Sequence, residues 1–423
     1  MPKRIALISD HASPLTAAGG VDSGGQNIYV AETARHLAAE GYSVDIFTRR
    51  DNHELPPVVE WTNGVRVVHV PAGPARFVRK EELLPMMSDF AAFMRRFCAH
   101  EAYDVVHANF FMSGLVAMEL KRELGLPFVI TFHALGLVRR QHQGRADEFP
   151  KERFAIEKNL MREADGIIAE CPQDRADLVT LYHADMSKIA VIPCGFSPHE
   201  FWPISRRFAR KTLGLPEEGR VLLQLGRLVP RKGVDNAIRG LGHLKDQYGV
   251  EATLLVVGGN SDIPDPAVTP EIGRLRKIAA SAGVEPQVRF TGRRSRELLK
   301  LYYSAADAFI TTPWYEPFGI TPVEAMACAT PVVGSNVGGI KYSVVDEQTG
   351  FLVPPKEPEA LAARLADLYG DPRLCKRLGR SAARRANRMF QWATVTRSVG
   401  YLYDDVIAGI SPAARGGAMA AAA

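Results

Sequence analysis

The chain has 423 residues, of which 46% are hydrophobic and 23% charged, a composition typical of a folded protein with two or three domains. Its 52 basic and 47 acidic side chains give a net charge of +5. The basic residues occur in short pairs without interleaved aromatic residues, which argues against a nucleic-acid-binding protein. Binding of a phosphorylated small molecule is compatible with this charge.

The five cysteines are widely spaced and form no Cys-x-x-Cys pair, so neither a disulfide framework nor a zinc site is predicted. The apolar run that begins at Ile5 is too short for a signal peptide, and no other run reaches the roughly 18 apolar residues of a membrane span. We therefore expect a cytoplasmic protein with reduced thiols and no integral membrane segment. Peripheral membrane association stays open.

Short β-branched runs alternate with helical patterns through the first half of the chain. A strand is predicted at residues 5–9, followed by a helix at 27–40 that stops at Gly41. Further strands are predicted at 44–48, 65–70, 105–108, 128–131, 166–169 and 189–192, and further helices at 112–123, 152–163 and from 172.

The same alternation restarts after a polar, proline-containing stretch at 197–216. Strands are predicted at 221–225, 253–257, 288–291, 308–311, 331–334 and 350–353, and helices after Gly233, near 271–282 and from Arg296. Residues 358–407 are predicted to be helical with breaks near 371–372 and 390–392, and the tail 411–423 is predicted to be disordered.

Strands that alternate with helices form parallel sheets covered on both faces. Two such runs predict an α/β protein with two Rossmann-like domains, at residues 1–195 and 196–388. Ligands of such folds bind at the carboxyl ends of the strands, so we expect the site in a cleft between the two domains.

The stretch from Trp314 to Ala327, with the sequence WYEPFGITPVEAMA, follows a predicted strand and opens a predicted helix. Thr321 is predicted to be the N-cap of this helix, with Pro322 as its first residue and Glu324 completing a capping box.

An anion site is predicted at the start of this helix, because Phe318, Gly319 and Ile320 present backbone N–H groups there. Glu316 lies in the loop just before it, eight positions ahead of Glu324. The plainer alternative is that Glu316 is an ordinary loop carboxylate and that Glu324 only caps the helix.

Glu316 and Glu324, with the flanking Pro-Phe-Gly and Glu-Ala-Met-Ala sequences, resemble the paired-glutamate motif of the family 4 glycosyltransferases, which have the GT-B fold. The resemblance implies that Glu316 contacts hydroxyls of the donor sugar, that Glu324 contacts the ribose, and that Thr321 is a further donor contact. Carboxylates suit both roles because each can accept several hydroxyl hydrogen bonds. The resemblance also implies a helix at 389–410 that crosses back to the first domain.

A second match to this family is the sequence GRLVPRKG at 226–233, directly after a predicted strand. It implies that Arg227 and Lys232 hold the donor diphosphate. Cations are needed there because the leaving diphosphate gains negative charge when the donor bond breaks. An ordinary basic turn is the alternative. Arg294 follows a strand where the family reads the base, so it is also a predicted donor contact.

The glycine-rich stretch 19–27 resembles the loop of the subgroup that contains sucrose-phosphate synthases and D-inositol-3-phosphate glycosyltransferases. It implies that Gly25 meets the donor phosphate and Asn27 the acceptor, whereas the residues alone suggest a flexible loop. The resemblance also makes His133 a donor-sugar contact, for which we expect hydrogen bonding rather than general-base catalysis.

Lys80 and Arg153 resemble positions that bind the acceptor phosphate in the inositol-phosphate enzymes, and Arg153 also has a counterpart in sucrose-phosphate synthases. Phe110 and Ala134 stand where the inositol-phosphate pattern has tyrosine and threonine, which removes two hydroxyl groups and argues against inositol phosphate as the acceptor. The adjacent arginines at 139 and 140 are either replacements for these contacts or solvated surface residues.

Together these features predict a retaining glycosyltransferase that moves a hexosyl group from a nucleoside-diphosphate sugar, with a UDP-sugar favoured, to a hydroxyl of a small acceptor. Retention is implied by the resemblance alone. No Asp-x-Asp motif stands in a suitable loop, so no obligatory metal or other cofactor is expected. The alternatives are a GT-B sugar-nucleotide epimerase and a noncatalytic sugar-nucleotide-binding protein. No nucleic-acid partner is expected, and a homodimer stays open.

Overall fold

The computed structural model describes residues 2–16 and 24–412, which form two compact units. The first unit is built from residues 2–16, 25–193 and 392–412, and the second from Gly24 and residues 194–391. Most of the predicted glycine-rich loop, residues 17–23, lies outside the described residues. So does the predicted disordered tail, apart from Ser411 and Pro412.

The first unit contains one sheet of eight strands. They are, in chain order, β1 (Arg4–Ile8), β2 (Ser43–Arg49), β3 (Val58–Thr62), β4 (Val65–Val70), β5 (Val105–Asn109), β6 (Phe128–Thr131), β7 (Gly166–Ala169) and β8 (Ile189–Val191). Their order across the sheet is β3-β4-β2-β1-β5-β6-β7-β8, and β3 alone of these eight pairs antiparallel to its neighbour. The strand order reverses between β1 and β5, which is where doubly wound sheets bind their ligands.

Six helices of the first unit connect these strands. They are α1 (Gly25–Ala39), α2 (Met87–His100), α3 (Phe111–Leu124), α4 (Gly136–Gln143), α5 (Glu152–Glu163) and α6 (Pro172–Tyr182). Helices α2 and α4 and the edge strand β3 were not predicted. Helix α2 nevertheless has helical spacing on its buried face, where Met87, Phe90, Ala91 and Met94 enter the core.

The second unit contains a parallel sheet of six strands. They are β9 (Val221–Leu225), β10 (Thr253–Val257), β11 (Val288–Gly292), β12 (Ala308–Thr311), β13 (Val332–Ser335) and β14 (Gly350–Val353). Their order is β11-β10-β9-β12-β13-β14, so the strand order reverses between β9 and β12. Strands β9, β10 and β12 are buried almost throughout, as the continuous apolar runs of a parallel sheet predict.

Helices cover this second sheet, and one further helix ends the described chain. They are α7 (Arg206–Thr212), α8 (Val234–Tyr248), α9 (Pro270–Ser281), α10 (Arg296–Ala305), α11 (Ile320–Ala327), α12 (Ile340–Ser343), α13 (Pro358–Gly370), α14 (Pro372–Met389) and α15 (Trp392–Ile407). Short 3-10 turns lie at Lys80–Glu82, Leu84–Met86, Gly144–Ala146, Met186–Lys188, Pro230–Lys232 and Glu285–Gln287.

The polar stretch at 197–216 is part of the second unit. It contains α7, whose Arg210 side chain is buried and donates to Ala305 O and to the carboxylate of Asp307. These bonds attach α7 to the segment between α10 and β12. Helix α7 was not predicted, because a buried arginine in a polar stretch cannot be distinguished by composition from a solvated one.

Helix α15 belongs to the first unit although it follows the second in sequence. Trp392 is fully buried, and its ring lies 5.8 Å from that of Tyr29 in α1. Near the other end, the hydroxyl of Tyr403 hydrogen bonds to Nδ1 of His107 at 2.7 Å. The C-terminal helix thus completes the core of the first unit.

The two-sheet α/β architecture predicted from the alternation of strands and helices is confirmed. Each unit has its own apolar core between its sheet and its helices. Within the described part of the chain, none of the helices combines the length and the apolar composition required of a membrane span.

Candidate functional site

The loops after the neighbouring strands β9 and β12 are joined at the reversal point of the second sheet. Gly233 has a φ of +66°, and a Cβ atom there would lie 1.9 Å from the carbonyl oxygen of Thr312. The hydroxyl of Thr312 donates to Gly233 O at 2.7 Å, and Trp314 N–H donates to Arg231 O at 2.9 Å. This close approach requires glycine at position 233. It also sets the distance between the two loops, and therefore between the side chains that they carry.

Lys232 and Glu316 form an ion pair where these two loops meet, with the ammonium donating to Oε2 of the carboxylate. Their side chains keep 20% and 13% of their surface exposed, so a ligand can reach both. Burial lowers the pKa of Lys232 to about 8, even though Glu316 opposes this shift. Burial alone would raise the pKa of Glu316, but the charges of Lys232 and Arg231 outweigh it and hold that pKa below its usual value.

Two further arginines act electrostatically on this pair. The charges of Arg227 and Arg231 both lower the pKa of Lys232 and of Glu316. Arg231 was not predicted as a site residue, yet its buried Nη1 has no hydrogen-bond partner among the described residues. The structure therefore brings Arg227, Lys232 and Glu316 together and adds Arg231 to them.

The start of helix α11 differs from the prediction. Gly319, with a φ of +92°, is the N-cap residue, and no side chain caps the helix. Thr321 is already the second helical residue, so the predicted capping box of Thr321 and Glu324 is wrong. The physical reason is that glycine adopts the left-handed conformation at this turn, so the helix begins earlier. Phe318 is buried just before it, and Ile320 is the first helical residue.

Glu324 points into the interior, where it is 1% exposed. Arg296 Nη1 donates to one carboxylate oxygen at 2.8 Å and the hydroxyl of Tyr303 donates to the other at 2.9 Å. Burial raises the pKa of Glu324, and Arg296 only partly offsets the shift. As placed, Glu324 has too little exposed surface to contact a ribose unless its surroundings move.

A Gly-Gly pair after β13, which the sequence analysis overlooked, supports the Glu316 loop. A Cβ atom on Gly338 would lie 1.8 Å from Glu316 O, and Gly339 N–H donates to that oxygen at 3.1 Å. A Cβ atom on Gly339 would lie 2.3 Å from the backbone of Phe318. Two adjacent glycines after a predicted strand were the available signal.

Arg294 lies apart from the ion pair, beside the edge strand β11. It lines a cavity of about 430 Å³ together with Asp262, Thr291 and Tyr302. Its guanidinium donates to Asp262 O at 2.8 Å and to the Tyr302 hydroxyl at 3.1 Å. Arg294, the predicted base contact, thus lies beside this cavity just after the carboxyl end of β11.

In the first unit, His133 is held by its two neighbours at the carboxyl ends of β5 and β7. Its Nδ1 lies 3.0 Å from Oε1 of Glu170, and its Nε2 lies 2.9 Å from Oδ1 of Asn109. The amide nitrogen of Asn109 donates to Ile8 O, so its oxygen must face the ring. His133 is thus held between an amide oxygen and a carboxylate, and these two contacts fix the orientation of its ring.

The other predicted residues of the first unit lie around the start of α1 and in nearby turns. Gly25 is the first residue of α1, and Asn27 is buried with its amide donating to Ser13 O at 2.9 Å. Lys80 is half-buried in the 3-10 turn Lys80–Glu82.

Arg153 is fully buried, in contrast to the accessible position that acceptor binding would require. Its Nε donates to Glu157 at 2.7 Å, and its Nη2 donates to Ala134 O. Its guanidinium carbon lies 4.8 Å from the centre of the Phe110 ring. Phe110 and Ala134, which stand where the inositol-phosphate pattern has tyrosine and threonine, thus both contact Arg153. As placed, Arg153 offers no surface to a phosphate.

The neighbouring Arg139 and Arg140 both lie beside the buried carboxylate of Asp147, at 3.0 and 3.8 Å. Their guanidinium groups are thereby partly neutralised. Among the described residues, no cluster of three or more histidine, cysteine, aspartate or glutamate side chains could hold a metal ion.

Two family models match the chain. The model described as Glycosyltransferase Family 4 matches residues 23–200, and the model described as Glycosyl transferases group 1 matches residues 205–385. Each match falls on one of the two sheet-containing units.

Named relatives and a solved structure are similar over nearly the whole chain. The D-inositol 3-phosphate glycosyltransferase of Kineococcus radiotolerans is 37% identical over 95% of this chain and 95% of the relative. The protein of the same name from Salinispora tropica is 35% identical over 96% of this chain and 86% of the relative. The structure of sucrose-phosphate synthase from Thermosynechococcus elongatus has a TM-score of 0.88 and 33% identity, covering 96% of this chain and 99% of that one.

Proposed function

This chain belongs to glycosyltransferase family 4 and is a GT-B enzyme that transfers a glycosyl group to a small acceptor, and we propose that its donor is a UDP-hexose. The proposed acceptor group is a hydroxyl, and the proposed outcome is retention of anomeric configuration. Cytoplasmic location and a homodimeric state stay predictions, which cell fractionation and sedimentation analysis test.

The observation that supports this donor most strongly is the cluster of Arg227, Arg231 and Lys232 around Glu316. Breaking the sugar–phosphate bond leaves a nucleoside diphosphate whose negative charge must be stabilised. Arginine supplies a planar fork and lysine a compact charge for the phosphate oxygens. When the ammonium of Lys232 pairs with the diphosphate instead of with Glu316, the carboxylate of Glu316 becomes free to accept hydrogen bonds from sugar hydroxyls.

The proposed step is a front-side displacement. The acceptor oxygen forms the new bond to the anomeric carbon while the bond to the diphosphate oxygen breaks, and the hydroxyl proton passes to the leaving diphosphate. Because cations surround the diphosphate site, the reaction is proposed to need no obligatory metal. Activity that persists after exhaustive treatment with a chelator supports this, and activity restored only by a divalent ion contradicts it.

The names of the similar proteins, D-inositol 3-phosphate glycosyltransferase and sucrose-phosphate synthase, suggest a phosphorylated small molecule as the acceptor. Phe110 and Ala134, which both contact Arg153, argue against inositol phosphate itself. The acceptor is therefore proposed to be a small polyhydroxylated molecule that differs from that of the inositol-phosphate enzymes.

The test is a screen of UDP-, GDP- and ADP-sugars against phosphorylated and free polyols, with release of the nucleoside diphosphate as the readout. Release that needs both substrates supports transfer, whereas conversion of the donor alone would contradict it. R227A and K232A are expected to lower the rate by about 100-fold or more, as the loss of charge stabilisation does elsewhere. R239A, at an exposed position of α8, is the matched control.

A further inference from the structure

The cavity of about 430 Å³ lies beside β11, which is an edge strand of the second sheet. Its walls come from β10, β11 and α10 and from the two segments that follow α7 and β10. Of the residues that line it, Arg294 alone was predicted to contact the donor. A cavity of this volume is large enough for a small organic ligand.

Most of the cavity lies away from the loops that carry the diphosphate contacts. Leu255 and Arg289 are partners in the parallel register of β10 and β11, so their side chains point to the same face of the sheet. Arg289 lies about 10 Å before Gly292, the last residue of β11. Strand β11 is also separated from β9, whose following loop carries Lys232, by the width of β10. The cavity therefore extends along the edge strand, whereas the diphosphate contacts lie at the carboxyl ends of inner strands.

Two arginines give this cavity a positive charge. Arg289 is exposed, and among the described residues its guanidinium has neither a hydrogen-bond acceptor nor a carboxylate partner. Arg294 donates to two backbone oxygens and to the Tyr302 hydroxyl, none of which carries a charge. The carboxylate that lines the cavity belongs to Asp262, and it lies 3.2 Å from Nε of Arg293. Two cations are thus left to attract an anion.

Much of the remaining wall is apolar. Leu213, Leu215 and Leu255 line the cavity, and Ile263 lines it with 76% of its surface exposed. The hydroxyl of Tyr302 accepts a hydrogen bond from Arg294, so its own proton is available to a ligand. A ligand that covers these side chains gains from removing apolar surface from water. The cavity therefore suits a molecule with an anionic group and an apolar body.

We propose that this cavity is a second ligand site, separate from the donor site, which binds a small organic phosphate or carboxylate with an apolar body. The anionic oxygens pair with Arg289 and Arg294, whose planar guanidinium groups match them. The apolar body covers the leucines. The sequence analysis did not detect this site, because its lining residues are scattered between positions 213 and 302.

The first experiment asks whether such an anion binds while the donor site is filled. Four probes are titrated by calorimetry into the full chain saturated with UDP: phenyl phosphate, benzoate, inorganic phosphate and benzyl alcohol. We expect one organic anion to bind with a stoichiometry of one, at least tenfold more tightly than inorganic phosphate or benzyl alcohol, because charge and apolar surface both contribute. The tighter of phenyl phosphate and benzoate identifies the anionic group. Binding that disappears when UDP is present would overturn the proposal.

The second experiment locates the bound probe. R289Q should weaken its binding about tenfold or more, since a hydrogen bond to a charged group is lost. R289K keeps the charge without the planar fork and should recover part of the affinity. R276Q is the matched control, because Arg276 is also exposed but lines a different cavity, of about 450 Å³, between β11 and α9. The affinity of R289Q for UDP should equal that of the wild type.

The outcomes separate this inference from the proposed function. Unchanged probe binding in R289Q overturns the second site, and so does an equal weakening in R276Q, which would move the probe to the other cavity. Weaker UDP binding in R289Q would make the cavity part of the donor site and would also overturn the proposal. If the wild type binds no UDP, the proposed donor fails. Probe binding to the wild type and to R289Q without UDP then still decides whether the second site exists.

Discussion

In the second unit, the ammonium of Lys232 donates a hydrogen bond to the carboxylate of Glu316, although 84 positions of sequence separate the two residues. The contact arises because β9 and β12 are neighbours in the sheet and their following loops meet. It places a cation suited to phosphate and a carboxylate suited to hydroxyl groups side by side.

Substitution of Glu316 should separate sugar recognition from diphosphate binding. E316Q removes the charge that now neutralises Lys232, so UDP should bind as tightly as in the wild type or more tightly. Transfer should fall by about 100-fold, because the carboxylate no longer stabilises the sugar in the transition state. Calorimetry with UDP and steady-state rates measure the two effects. A parallel loss of UDP affinity in E316Q would contradict this assignment, as would a glycosyl-enzyme trapped on Glu316, which would replace front-side displacement by double displacement.

The affinity for UDP should depend on the protonation of Lys232. Its pKa is lowered to about 8 by burial, so the ammonium is present below that pH and is lost above it. UDP binding should therefore weaken as the pH rises through about 8. K232R should remove this dependence, because an arginine stays protonated over the whole range. Binding titrations between pH 6.5 and 9.5 measure it, and an equal decline in K232R would show that another group is responsible.

The two glycines that flank α8 offer a matched pair. Gly233 and Gly249 have φ values of +66° and +62°, but a Cβ atom on Gly233 would meet Thr312 O at 1.9 Å, whereas one on Gly249 would meet nothing within 4 Å. G249A should cost about 1–2 kcal/mol for the left-handed backbone alone. G233A should cost more and should also weaken UDP binding, because the loops after β9 and β12 must separate. Urea unfolding and calorimetry measure both quantities. Equal effects of the two substitutions would mean that the contact with Thr312 is easily relieved.

Arg153 should behave as a structural residue. R153A leaves the buried carboxylate of Glu157 without its cation, which should lower the free energy of unfolding by about 3–5 kcal/mol. R162A, in the exposed last turn of the same helix, should change it by less than about 0.5 kcal/mol. Urea unfolding of the two variants measures the difference. If R153A is stable but has a raised acceptor KM, Arg153 instead serves the acceptor role that the family resemblance implies.

Most of the fold was predictable because the apolar residues that each strand or helix buries repeat with the spacing of that element. The buried runs of β9 and β10 and the breaks of the C-terminal helices at Asp371 and Gln391 follow directly from apolar spacing and from proline. Strand β3 was not predicted because none of its side chains is buried, so its sequence shows no clear alternation of apolar and polar residues. Helix α7 was not predicted because the buried bonds of Arg210 cannot be read from composition.

The site was predictable only in part. Local sequence pointed to Lys232 and Glu316, but it suggested a capping role for Glu324, which the structure replaces with bonds to Arg296 and Tyr303. Those partners lie 28 and 21 positions away, and no local pattern connects them.

By itself, the sequence determined the alternation of strands and helices, the two sheets and the residues capable of donor chemistry, because these depend on neighbours within a few turns. Tertiary structure alone decided which side chains meet. The order of strands brings Lys232 to Glu316, and the packing of aromatic rings encloses Arg153. Such contacts depend on strand order and on close packing, which spacing along the chain does not specify.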